Sequence, residues 1–393
     1  MISVTKLLMQ DSDHYGDGLR YHKDSGKTVH GTRKGHGPVV VWNCTRTCNL
    51  NCIHCYSDSD SNSYSGELST KEAKTFIDDL QAFNVPVLLF SGGEPLLRND
   101  FFELAEYAAQ KGIRSTISTN GTLIDKQMAK DFKKIGISYV GISLDGIGEN
   151  NDNFRGQSGA FQDALAGIRN CLEEGQKVGL RFTINRHNYK ELPDIFKLIK
   201  EENIPRVCFY HLVYSGRGSE MKDQDISPEE TREVLDLIME KTLEFARIND
   251  PKEILMVANH ADGIYIYQKM LQEDPAKAQE ILKLLGKNGG NRSGIAISSV
   301  DSQGWVHPDQ FTQNHTFGNV KERPFGEIWT DTDSNEILRG LKDRKPLLKG
   351  RCSQCRWLDY CNGNFRARAE SVYHDFWASD PACYLTDKEI GLK

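Results

Sequence analysis

Three cysteines, Cys48, Cys52 and Cys55, constrain this chain more than any other feature. They stand in the loop Thr45-Arg46-Thr47-Cys48-Asn49-Leu50-Asn51-Cys52-Ile53-His54-Cys55-Tyr56, directly after the apolar run Val39-Val40-Val41-Trp42. Thiols spaced as Cys-x3-Cys-x2-Cys cannot all pair as disulfides without severe strain, but they can converge on one metal centre. Three is an odd number of ligands, because tetrahedral zinc and a fully ligated iron–sulfur cluster both take four. A [4Fe–4S] cluster on three thiolates keeps one iron open to a small molecule. A zinc knuckle is the alternative, with Cys44 or His54 as its fourth ligand.

The next apolar run, residues 87–90, leads into Ser91-Gly92-Gly93-Glu94-Pro95. Glycines at the C-terminal end of a strand let backbone polar groups approach a ligand closely. A three-cysteine loop after one strand, with Gly-Gly-Glu-Pro after the next, resembles the radical S-adenosylmethionine (SAM) superfamily. The resemblance implies that Cys48, Cys52 and Cys55 hold a [4Fe–4S] cluster whose open iron chelates SAM. Reductive cleavage of SAM then yields a 5′-deoxyadenosyl radical. By the same resemblance Tyr56, Gly92, Gly93 and Glu94 belong to the SAM site, the Gly-Gly-Glu turn meeting its amino group. Ser143 and Arg155 are expected at the SAM carboxylate, Asn120 near the ribose and Leu212 at the adenine.

Strand-like and helix-like segments alternate from residue 38 to about 218. Strands are expected over 39–43, 87–90, 113–118, 139–144, 178–184 and 207–213, and helices over 70–83, 100–111, 126–135, 160–174 and 189–201. Ser69 with Glu72, and Asn99-Asp100, read as helix starts, and Gly112, Gly136 and Gly175 as helix ends. Six βα units imply a parallel sheet with its chemistry at the strands' C-terminal ends. They fall short of a closed eight-fold barrel, which matches the open, TIM-like partial (βα)6 barrel of the resembled superfamily.

Residues 1–37, with histidines at 14, 22, 30 and 36, read as a solvated N-terminal arm or lid, and 38–218 as the radical SAM core. Residues 219–290 read as a helical connector starting at Ser227-Pro228-Glu229-Glu230, with a second helical stretch over 261–285. Residues 291–393 form a small cysteine-rich domain, opening with a β-hairpin over 295–306 and a short helix near 325–329.

Lys and Arg number 49 and Asp and Glu 55, a net charge of −6, which argues against a nucleic-acid binder with a broad basic face. No apolar run approaches the ~20 residues of a membrane span, and no secretory signal is evident at Met1 to Gln10. Ten cysteines without an export signal point to a reducing, cytoplasmic setting and to metal ligation.

A second group, Cys352-x2-Cys355-x5-Cys361 followed by Cys383, supplies four thiolates for an auxiliary [4Fe–4S] cluster, or for zinc. Cys44, Cys171 and Cys208 read as core residues. The C-terminal region resembles SPASM/twitch auxiliary domains, but Asp309 stands where the hairpin of a two-cluster SPASM domain carries cysteine. One auxiliary cluster is therefore expected, two clusters in all.

Val306-His307-Pro308-Asp309-Gln310-Phe311, Phe317-Gly318-Asn319-Val320, Cys361-Asn362-Gly363-Asn364-Phe365-Arg366-Ala367-Arg368 and Asp380-Pro381-Ala382-Cys383 resemble the NirJ/AhbC group. That resemblance implies an enzyme acting on an iron tetrapyrrole, 12,18-didecarboxysiroheme, with electrons from a flavodoxin or ferredoxin. AhbC-type members remove its acetate arms on a route to haem, and NirJ-type members remove propionates on the way to a dioxo-haem. Arg366 and Arg368 are candidates for pairing substrate carboxylates, and His307 or His315 for ligating the substrate iron. The reading from a different class is a peptide-modifying SPASM maturase; residues 1–37 are too short for the leader-binding domain many of those carry.

Overall fold

The computed structural model describes residues 1–9, 14, 16–21 and 37–392. Within them ten strands form one sheet: β1 (Ile2–Ser3), β2 (Val39–Thr45), β3 (Val87–Gly92), β4 (Arg114–Thr119), β5 (Val140–Ser143), β6 (Val178–Ile184), β7 (Arg206–His211), β8 (Glu253–Val257), β9 (Ile297–Val300) and β10 (Val306–His307). Their spatial order is β1-β8-β7-β6-β5-β4-β3-β2-β9-β10. β2 to β7 pair in sequence and in parallel, as six βα units require. Val40, Trp42, Leu88, Phe90, Ile117, Val140 and Leu180 are buried, which is why these strands read as apolar runs rather than alternating ones.

The helices between them lie within a few residues of expectation. Helix Thr70–Ala82 starts in a reciprocal capping box: Ser69 Oγ accepts from Glu72 N at 3.3 Å, and Ser69 N donates to Glu72 Oε2 at 2.8 Å. It buries Ala73, Phe76, Ile77 and Leu80, one face at helical spacing. Helix Lys126–Ile135 ends at Gly136, whose φ of 83° only glycine adopts freely. Asp100 stands at the start of helix Phe101–Gln110 but caps nothing, because its carboxylate is held by Arg98 at 2.7 Å.

The sheet does not stop at six strands. β8 lies inside the stretch read as a purely helical connector and pairs in parallel with β7, Arg206 facing Glu253. β9 pairs in parallel with the other edge at β2 and turns back through the expected hairpin to β10. Nor are residues 1–9 a solvated arm: Ile2 and Ser3 pair antiparallel with Met256 and Leu255, and the helix Val4–Met9 buries Val4, Leu7 and Leu8. That segment covers an edge which would otherwise expose unpaired backbone groups. His14 is half-buried, and His22, His30 and His36 lie outside the described residues.

Helix Pro228–Arg247 starts at Ser227 as read, with its own capping box to Glu230. The stretch read as one helix over 261–285 is two, Ala261–Glu273 and Pro275–Asn288, because Pro275 has no N–H to continue the first. Asp274 caps the second, accepting from Lys277 N at 3.0 Å. Among the described residues no helix is long and apolar enough to cross a membrane.

Candidate active site

Cys48, Cys52 and Cys55 follow the C-terminal end of β2 and line one cavity of about 130 Å3. Tyr56, Gly92, Gly93, Asn120, Ser143, Arg155 and Leu212, all expected at the SAM site, line the same cavity. The sulfurs accept from nearby donors: Leu50 N to Cys48 at 3.4 Å, Ser59 N to Cys55 at 3.4 Å and Arg155 Nη1 to Cys52 at 3.6 Å. Burial pushes the Cys48 thiol up to about 12 and raises Cys52, and a bound metal centre deprotonates such thiols outright. Among the described residues no three Cys, His, Asp or Glu side chains gather tightly enough for a single ion. Thiols ringing a cavity with N–H donors at their sulfurs fit a polynuclear cluster better than zinc.

The Gly-Gly turn also docks on this loop through its backbone. Gly93 N donates to Thr45 O at 2.8 Å and Glu94 N to Thr47 O at 2.9 Å, docking the turn on the cluster loop. A Cβ at Gly92, where φ is 131°, would strike the Thr45 carbonyl, and one at Gly93 the carbonyls of Arg46 and Thr47. The close approach these glycines permit is to the protein's own backbone.

Glu94 does not line the cavity. Its carboxylate is buried and accepts from Thr119 Oγ1 at 2.7 Å, Asn120 N at 2.8 Å and Leu96 N at 3.2 Å. Burial pushes it up to about 7 against those hydrogen bonds. Its work here is to hold the β4 turn, from which Asn120 Nδ2 reaches Asn49 Oδ1 at 2.8 Å.

Ser143 ends β5, and Arg155 ends the short helix Glu149–Arg155. Arg155 pairs with the buried Asp145, so its guanidinium is fixed beside Cys52. Leu212 follows β7, and its carbonyl accepts from Arg368 Nη1 at 3.1 Å.

Cys352, Cys355, Cys361 and Cys383 line a second cavity, of about 120 Å3. Burial raises Cys355, Cys361 and Cys383, the last to about 12, and Trp357 N donates to the Cys355 sulfur at 3.4 Å. Four thiols around one mainly apolar cavity suit an iron–sulfur cluster. Asp309 lies elsewhere, accepting from Phe311 N at 2.8 Å and Thr312 Oγ1 at 2.9 Å. Cys44, Cys171 and Cys208 are buried and line neither thiol cavity.

The expected substrate contacts need correction. Arg368 is fully buried, bound to Asp380 through Nε at 2.9 Å and Nη2 at 2.7 Å, and also to the Ala258 carbonyl at 2.6 Å. Arg366 is clamped on the carbonyls of Gly363, Phe376 and Ala378. Both guanidiniums are spent mainly on the protein's own acceptors, and neither side chain lines the SAM cavity. His307 is buried with Nδ1 3.0 Å from His315 O and Nε2 3.4 Å from Asp301 Oδ2. His315 Nε2 sits 2.7 Å from Glu370 Oε1, and neither histidine lines a cavity beside the SAM site.

What does lie beside that site is a larger cavity of about 900 Å3 between core and C-terminal region. Tyr56, Ser57 and Phe311 line both cavities, so the two adjoin. Arg46, Lys222 and His374 are the basic side chains on its wall. Arg46 pairs with Asp58 at 3.2 Å and lies over Tyr64 at 4.5 Å, while Lys222 Nζ reaches Ser371 O at 2.5 Å. Arg46 and Phe311 stand inside segments the sequence had singled out; Lys222, in an ordinary polar turn, carries no such signal.

Residues 42–217 match the radical SAM superfamily, and residues 296–356 match the iron–sulfur cluster-binding domain SPASM. Fe-coproporphyrin III synthase of Methanosarcina barkeri is 56% identical, covering 100% of this chain and 99% of the relative. Pre-heme d1 synthase of Dinoroseobacter shibae is 44% identical over 96% of this chain and 93% of its own. The structure of native anSMEcpe with bound AdoMet superposes with a TM-score of 0.69 at 20% identity, over 90% of this chain and 95% of that one, a likeness of fold. With thiol cavities, SAM-site turns and near-full-length relatives in agreement, the chain belongs to the radical SAM superfamily, in the NirJ/AhbC group, and is an enzyme that uses SAM and two iron–sulfur clusters.

Proposed function

We propose that this enzyme removes the acetate side chains of 12,18-didecarboxysiroheme, in the manner of AhbC. The observation that carries the reading is the cavity of about 900 Å3 adjoining the SAM cavity. It lies within the size range of ligand sites, roughly 300–1,000 Å3, and near its upper end, as a flat macrocycle needs. The 56% identity to a relative named Fe-coproporphyrin III synthase supports acetate removal, since that product keeps only propionates.

Cys48, Cys52 and Cys55 would hold the SAM-binding [4Fe–4S] cluster, and Cys352, Cys355, Cys361 and Cys383 the auxiliary one. Bound together, cluster and SAM supply the one-electron cleavage and hydrogen abstraction that open an arm to loss. The chain's own residues position and shield. The turn at Gly93 and Glu94 fixes the cluster loop, and Arg155 and Ser143 offer a guanidinium and a hydroxyl to the SAM carboxylate. Arg46, Lys222 and His374 are the groups available to pair propionates around the macrocycle. Tyr56 and Phe311, with ring centroids 5.1 Å apart, separate the macrocycle from the SAM cavity and exclude water between them. A flavodoxin or ferredoxin would deliver the electron, in the cytoplasm.

The second reading is propionate removal in the manner of NirJ, supported by the 44% identity to a relative named pre-heme d1 synthase. Anaerobic absorbance titration of the reconstituted enzyme with 12,18-didecarboxysiroheme tests the shared part of both. Saturable one-to-one binding that a maturase leader peptide does not displace is expected. Absence of binding would defeat the assignment.

A further inference from the structure

Beneath the SAM cavity lies a third space, of about 300 Å3, in the lumen of the partial barrel. Its wall is largely apolar and includes Val39, Val41, Val87 and Leu89 from β2 and β3. Among the described residues only Arg181, Tyr210 and Phe311 line both the lumen and the SAM cavity, so Arg181 is the one charged side chain at their boundary.

Arg181 points inward from β6 and crosses Gly141 of the neighbouring β5. A Cβ at Gly141 would come within 2.9 Å of Arg181 Cδ, so a glycine there gives the arginine its path. The guanidinium lies over the Tyr210 ring, 4.7 Å from its centroid. Other arginines around the site have carboxylates: Arg155 has Asp145, Arg206 has Glu253 and Arg368 has Asp380. Among the described residues Arg181 has no ion pair and donates to no acceptor; the aromatic face is its only partner. A half-buried cation with five donors and no counter-charge is costly unless a ligand supplies an anion.

Two carboxylates could come within reach: that of SAM, and one on the tetrapyrrole. Arg155 is the guanidinium held at the cluster, 3.6 Å from the Cys52 sulfur, whereas Arg181 touches no cluster thiol and faces the lumen. We propose that Arg181 binds the carboxylate of the acetate arm to be removed, drawing that arm from the large cavity past Phe311 into the boundary between SAM cavity and lumen. This rests on the functional reading above and names the residue that selects the arm. A bidentate guanidinium–carboxylate pair fixes direction as well as distance, which a hydrogen abstraction from one methylene requires.

The test uses the anaerobically reconstituted full chain and three ligands. 12,18-didecarboxysiroheme and Fe-coproporphyrin III, which lacks the acetates, are titrated by absorbance, and SAM by equilibrium dialysis. In Arg181→Gln the affinity for 12,18-didecarboxysiroheme is expected to fall about tenfold or more, while Fe-coproporphyrin III and SAM bind as in the wild type. Arg181→Lys should recover part of the loss. Unchanged binding of the acetate-bearing ligand, equal weakening of both tetrapyrroles, selective loss of SAM, or loss of all three ligands together would each overturn the assignment. A wild type that binds neither tetrapyrrole overturns the functional reading instead.

Discussion

Arg368 and Asp380 meet in a two-point ion pair, at 2.9 and 2.7 Å, with no solvent exposure of either side chain. The same guanidinium holds the carbonyls of Leu212, just beyond β7, and Ala258, just beyond β8. A residue of the cysteine-rich region thus ties that region to the mouth of the barrel. Removing one member of such a pair leaves a buried uncompensated charge, at a cost of roughly 3–5 kcal/mol. Arg368→Ala should therefore lower thermal stability sharply, and what remains folded should bind tetrapyrrole with little change. A wild-type melting temperature with weakened substrate binding would return Arg368 to the substrate site.

Replacing Cys48, Cys52 or Cys55 with alanine should remove one of two clusters, lowering iron from about eight to about four per chain. Cys44→Ala should keep the full iron content and reductive SAM cleavage, because Cys44 is buried in β2 and lines neither thiol cavity. Iron analysis after anaerobic reconstitution decides it.

Glu94 predicts a pH dependence of stability. Burial raises its carboxyl from an ordinary 4.5 to about 7, so between those values the folded chain binds more proton than the unfolded one. Its contribution is present in full below about 4.5 and is lost as pH rises to about 7. Thermal unfolding of the cluster-free chain should show the wild type losing stability relative to Glu94→Gln across that window. A pH-independent difference would mean that folding does not raise the Glu94 carboxyl above its ordinary range.

The six central strands were legible because a parallel sheet covered on both faces imposes continuous apolar runs, as in Val39 to Trp42. β8 was not, because Glu253–Val257 is five residues between two helices and its pairing with Arg206–His211 is set only in three dimensions. β1 is two residues long, shorter than any pattern. The cysteines were legible from spacing, since thiol ligation demands it, whereas the Gly-Gly-Glu turn was legible only as part of a resembled motif, and the hold of Glu94 on Thr119 and Asn120 was not. Arg366 and Arg368 misled because an arginine beside cysteines looks free for substrate; nothing local reveals that backbone carbonyls and Asp380 already hold them. Arg181 was invisible for the converse reason: in Val178–Ile184 it reads as an interruption, and its direction appears only with the sheet.

Phe311 touches all three cavities and packs against Tyr56 and Phe365, with centroids at 5.1 and 5.5 Å. Phe311→Ala should open the partition, so that 5′-deoxyadenosine accumulates beyond the arms removed. The ratio of 5′-deoxyadenosine to product, measured by chromatography, should rise several-fold while SAM affinity holds. An unchanged ratio would make the ring a packing residue only.

The most direct measurement of the central claim is the mass of the product formed from 12,18-didecarboxysiroheme by the reconstituted enzyme, with SAM and a reductant, under anaerobic conditions. Loss of both acetate arms, giving Fe-coproporphyrin III with 5′-deoxyadenosine and methionine, is the predicted result. A product that keeps its acetates and has lost propionates would contradict it, and so would a tetrapyrrole recovered intact while SAM is cleaved.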